Sequence, residues 1–178
     1  MLDHIAVRSD VRAHDAPADY TSSFRANAAC ARELARLYDE IAESLTDGRI
    51  PADAKIAEEP VVRRSPARCL VQLGPVALTV AWLQRSQGTV ADGELLVVVW
   101  RGAVAVQAPR GFERTVDRAG ASSATPLWET VLVANAESEA EWAWAPAGVA
   151  DVALSSAALA DQCIERLRAA HGECAHAR

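Results

Sequence analysis

The sequence predicts an α+β fold: an antiparallel sheet of about four to six strands with a long N-terminal and a C-terminal amphipathic helix. Three observations predict it. Residues 22–46 and 155–171 carry apolar residues at three- and four-residue spacing. Residues 68–146 carry instead the alternation and short apolar runs of strands. Helices kept apart from a run of strands belong to α+β architectures, not to alternating α/β ones.

The elements follow in order. Residues 4–12 alternate Ile5, Val7 and Val11 with Arg8, Asp10 and Arg12, so residues 1–20 are either an edge strand or a flexible arm. The first helix has the stripe Phe24, Ala28, Ala31, Leu34, Tyr38, Ile41 and Leu45. Thr21, Ser22 and Ser23 offer N-caps, and Gly48 offers a stop. Residues 49–67, with Pro51, Pro60 and Pro66, read as a connector with room for a helical turn at 54–59. After residues 69–73, Gly74-Pro75 marks a turn, bend or bulge. The next strand has Val76, Leu78, Val80 and Trp82 on one side and Ala77, Thr79, Ala81 and Leu83 on the other.

Residues 95–100 are apolar on both sides, the mark of a central strand covered on both faces. Arg101-Gly102 reads as a tight turn into a strand at 103–108, and residues 108–126 as a long loop. Strands at 127–134 and 140–145 follow, joined by the polar turn 135–139. The last helix has the stripe Leu159, Ala160, Cys163, Ile164, Leu167 and Ala170. Ser155 or Ser156 caps it, and Gly172 predicts its end, leaving 172–178 as a flexible tail. The element order is loosely helix-grip-like.

With 178 residues the chain reads as a single domain, large enough to bury a core without disulfides or metal. The net charge of −6 argues against nucleic acid or anionic lipid as a partner, because both are bound chiefly through Lys and Arg. Arg63, Arg64 and Arg68 cluster, and read as a solvated strand entry. The apolar stretch 69–83 is too short to span a bilayer and is broken by Gln72, Gly74 and Pro75, so no membrane insertion is expected. The start lacks a basic region followed by an apolar run. A cytoplasmic location with reduced cysteines is therefore expected, with Cys30, Cys69 and Cys163 in the core.

Catalytic motifs are missing: no glycine-rich phosphate loop, no GxSxG, no HExxH, no paired CxxC. The four histidines lie near the ends, at 4, 14, 171 and 176. His171, Cys174 and His176 do not have the spacing of a structural zinc site, so neither a metal nor a cofactor is expected. Acid–base chemistry would fall to carboxylates such as Glu58, Glu59, Glu94 and Glu129. Glu129 stands on a strand beside Leu127 and Val131, where it is either a buried acid with a raised pKa or a solvent-facing charge. Trp82, Trp100, Trp128, Trp142 and Trp144 all fall in expected strands, where indoles either fill a core or stack a ligand. Arg110, Arg114 and Arg118 recur every four residues in the long loop and could meet an acidic partner.

A non-enzymatic protein-interaction module is the reading these features favour: an accessory subunit, an adaptor, or a chaperone- or immunity-like protein. It would use a sheet face or the 108–126 loop to hold a protein partner or a second copy. Trp82, Trp100, Trp142 and Trp144 and the three loop arginines are its candidate contacts. The alternative is a small-molecule pocket between the sheet and the C-terminal helix, and less readily a carboxylate enzyme there.

Overall fold

The computed structural model describes residues 20–46, 59–84, 88–104, 124–147, 149 and 152–176. A 3-10 turn, Tyr20–Ser22, leads into helix α1, Phe24–Thr46. Six strands follow: β1 Val61–Ser65, β2 Arg68–Leu73, β3 Val76–Leu83, β4 Glu94–Arg101, β5 Thr125–Ala136 and β6 Trp142–Pro146. Helix α2, Ser156–His176, follows the sheet. The strands pair antiparallel in sequence order, β1 to β6. The α+β expectation thus holds, at the upper end of the expected strand number.

Local chemistry sets the joints. Gly74 takes φ 52° at the first position of the two-residue β2–β3 hairpin, where a non-glycine residue would be strained. The Gln72 amide braces this corner by donating to the carbonyls of Gly74 at 2.8 Å and Val76 at 2.9 Å. Ser23 caps α1 through Ala26 N–H at 3.3 Å, and Ser155 caps α2 through Ala158 N–H at 3.2 Å. Pairing also slips between Val99 and Trp100, a bulge that re-aims the end of β4.

Register sorts the sheet into two faces, because residues paired across antiparallel strands share a side. The first face carries Val71, Leu78, Val97 and Leu132, all but sealed from solvent. Both helices lie on this face. Leu34, Leu37 and Ile41 of α1 and Leu159, Ile164 and Leu167 of α2 share its core. The apolar stripes made this layer inevitable, since each must leave water.

Several local expectations change. The outward side of α1 begins earlier than its pattern suggests: Phe24, Ala28 and Ala31 are exposed, and Ala26, Ala29 and Cys30 are buried instead. Alanine-rich turns allow either side inward, and the larger Leu34, Leu37 and Ile41 downstream fix the rotation. Strand β1 lies where a connector was expected, because Val61 and three exposed neighbours leave almost no apolar pattern. Gly172 does not end α2. Nothing crowds it, and the helix runs on to His176. Residues 103 and 104 are not strand. Of the arm expected at 1–20, the helical turn at 54–59 and the long loop at 108–126, residues 1–19, 54–58 and 108–123 lie outside the described residues, and Thr125 and Pro126 belong to β5 instead of the loop.

Gly93 is held by close approach. A Cβ there would lie 2.1 Å from the Trp82 ring, which covers it, while its φ of −95° suits any residue. Gly93→Ala must push a buried indole aside. It should lower stability by about 1–3 kcal/mol in urea unfolding and shift the native tryptophan emission.

Candidate functional site

The tryptophans divide between the two faces. Trp82, Trp142 and Trp144 sit together on the helix-covered face, ends of β3 and β6. Trp144 is fully buried between the other two, with ring centroids 5.9 Å from Trp82 and 5.7 Å from Trp142, both edge-to-face. The indoles fill one another's space, as core aromatics do. Trp128 is half-buried at the far side of the same layer, with the Arg166 guanidinium 5.4 Å above its ring.

A hydrogen-bond chain ties this cluster to both helices. The Trp144 indole N–H donates to Ser156 Oγ at 3.0 Å, and the Ser156 hydroxyl donates to Glu33 Oε2 at 2.6 Å. Serine suits the position because its hydroxyl accepts from one partner and donates to the other. Near it, Trp82 N–H donates to Gln84 Oε1 at 3.2 Å, and the Gln84 amide reaches Asn27 Oδ1 on α1. The Trp142 N–H and the Tyr38 hydroxyl are buried without a hydrogen-bond partner among the described residues.

Trp100 stands on the second face. Its indole lies along β3, donating to Thr79 Oγ1 at 3.1 Å. Rows of this face read from strand to strand through the register: Arg63–Leu70–Thr79–Val98–Glu129 is one, and Ser65–Arg68–Ala81–Leu96–Val131 the next. Leu70, Thr79 and Val98 are buried at its centre, whereas Leu96, Trp100, Val131 and Val133 keep partial exposure. Val61 and Leu127 are 51% and 37% exposed at one end of it. Among the described residues no helix packs on this side.

The expected contact residues are therefore not one site. Three indoles are core, Trp100 is on the opposite face, and Arg110, Arg114 and Arg118 lie outside the described residues. Among the described carboxylates none is buried. Glu129 is exposed on the second face, Glu59 and Glu94 are exposed, and Glu33 and Glu40 are half-buried. Glu58 lies outside the described residues. No cluster of His, Cys, Asp or Glu among the described residues could hold a metal ion. No described helix is long and apolar enough to cross a membrane. No family model matches the chain, and no curated protein or solved structure is similar to it.

Cys30, Cys69 and Cys163 are free, buried thiols from α1, β2 and α2. Burial pushes Cys30 and Cys163 from an ordinary 9.0 up to about 12, and Cys69 to about 11. Tyr38 is pushed up by burial too, then by neighbouring Cys69 and Cys30. Such thiols stay protonated and are poor nucleophiles.

Two outcomes follow from these contacts. Ser156→Ala leaves the Trp144 N–H buried and unpaired, and should cost about 1–3 kcal/mol in denaturant unfolding. Glu33→Gln keeps an acceptor for the serine and should cost less. The thiols give the second outcome. In the unfolded chain they ionise near 9.0, but in the folded chain only near 11 to 12. Their contribution is complete below pH 9 and is lost as pH rises toward the folded values. Stability measured by urea unfolding should be flat from pH 8 to about 9 and then fall, approaching about 1.4 kcal/mol per pH unit for each thiol by pH 10.5. Cys163→Ala should flatten that slope.

Proposed function

We propose that this chain is a non-enzymatic protein-interaction module whose contact surface is the sheet face opposite the helices. One observation carries the reading: both helices are spent on the same side. The opposite side keeps Leu96, Trp100, Val131 and Val133 partly accessible, with Val61 and Leu127 beside them. Accessible apolar side chains grouped on one face favour an interaction site. Its composition fits that use, with one aromatic anchor, aliphatic rows and charges at the flanks. The Trp82–Trp142–Trp144 cluster favours this over a pocket under α2, because the indoles there pack on each other. A cytoplasmic setting belongs to the same reading, supported by four cysteines that are all free.

Hydroxyl-radical footprinting tests the face directly. Trp100 and Leu127 should be modified readily in dilute purified protein and protected when the chain is labelled inside the cells that make it. Phe24, 90% exposed on α1, is the internal control and should be modified equally in both. Equal modification of all three in both settings would remove the face as a contact surface.

A further inference from the structure

The two edges of the sheet differ. At β6 the edge is closed, because Trp144 and Leu154 exchange both backbone hydrogen bonds at 2.8 Å. At β1 it is open. Val61 is 51% exposed, Arg63, Arg64 and Ser65 are exposed, and β1 pairs on one side only among the described residues. The register fixes which of its backbone groups are free. Trp82 N–H donates to the Ala67 carbonyl at 2.8 Å, just outside the Arg68–Ala81 pair. Arg68 therefore turns its own N–H and C=O toward β1, where it faces Ser65. Alternation along β1 gives the polar groups of Ser65, Arg63 and Val61 to β2. Those of Val62 and Arg64 point off the sheet, and among the described residues no backbone hydrogen bond reaches them.

The charge at this edge is positive. Arg63 and Arg68 are diagonal neighbours on the side away from the helices. The Arg68 Nε is buried with no hydrogen-bond partner among the described residues. Arg64, on the helix side, is held by Asp39. Neither Arg63 nor the exposed Glu59 ahead of the strand makes an ion pair among the described residues.

We propose that the β1 edge is a docking site for an extended acidic segment of a partner protein, which adds to the six-stranded sheet as a further strand. This site is separate from the face proposed above and does not depend on it. Val62 and Arg64 exchange backbone hydrogen bonds with the incoming segment. Opposite Arg63 comes a non-hydrogen-bonded pair, where side chains approach most closely, and that position selects Asp or Glu. Opposite the exposed Val61 an apolar residue fits.

A second copy of this chain is a poor occupant. Two β1 strands joined antiparallel along their whole length would set Arg63 on Arg63, and like charges directly opposite are destabilising. A slip one way sets Arg64 on Arg64. A slip the other way sets Arg64 against Pro60, which has no N–H to give.

Amide hydrogen exchange of the full chain, read by NMR, tests the proposal. The probe is the blocked peptide Thr-Val-Glu-Val-Val, and its control carries Lys in place of Glu. In the free protein the Val62 and Arg64 amides should exchange fast, and those of Arg63 and Ser65 slowly. The Glu peptide should slow Val62 and Arg64, and the Lys peptide should bind about fivefold or more weakly. Arg63→Glu should reverse that preference, an outcome that a merely damaged fold would not produce. No slowing of Val62 and Arg64 at millimolar peptide overturns the proposal, as does equal binding of the two peptides. Slow exchange of both amides in dilute free protein shows the edge already paired and overturns it too. Slowing that grows with protein concentration in the absence of peptide makes a second copy the occupant, and the acidic partner is then lost.

Discussion

The arrangement depends on one short chain of hydrogen bonds, from the Trp144 indole through the Ser156 hydroxyl to the Glu33 carboxylate. It joins the last strand, the first turn of α2 and the middle of α1. The apolar stripes say only that each helix must be buried, and either face of the sheet would serve. The hydrogen-bond chain is satisfied only if both helices lie beside β6 on the same side. Arg64–Asp39 and Arg32–Glu139 fasten α1 there at two further points. That both described helices lie on one face is thus a consequence of how the helix layer is pinned.

Much of the fold is legible in the residues themselves. The doubly apolar Leu95–Trp100 run announces an interior strand, and the register places β4 inside the six-stranded sheet. Alternation along Val76–Leu83 divides the faces as the pairing does. Local rules fail where the signal is weak or shared. Val61–Ser65 is a strand by virtue of pairing with β2, because its own residues are mostly exposed. The rotation of α1 at Phe24 is settled by Leu34, Leu37 and Ile41, about three to five turns away. Helix α2 passes Gly172 because one glycine in a late turn costs only about 1 kcal/mol.

The candidate site is less legible, for a physical reason. Arg63 and Arg68 each look like ordinary surface charge when read along the chain. Their arrangement exists only across the strands, and sequence spacing does not reveal which residues are neighbours there. Tryptophan misleads in the opposite direction. Five indoles in strands suggest a platform, yet Trp82, Trp142 and Trp144 spend their surface on each other. Trp100, on the opposite face, and Trp128, beneath Arg166, keep partial exposure.

The strand order has a further consequence, for assembly of the fold on the ribosome. Every strand pairs with its immediate predecessor, so the sheet can grow hairpin by hairpin as the chain emerges. The helix layer has the opposite character. Helix α1 precedes the sheet, but its neighbour α2 follows it, more than a hundred residues later. Until then the sheet presents the Trp82 and Trp144 side to water with only α1 to cover it. The vulnerable species during synthesis is therefore a nearly complete sheet with an unfinished lid. Its aromatic cluster is the surface that a nascent-chain chaperone would meet.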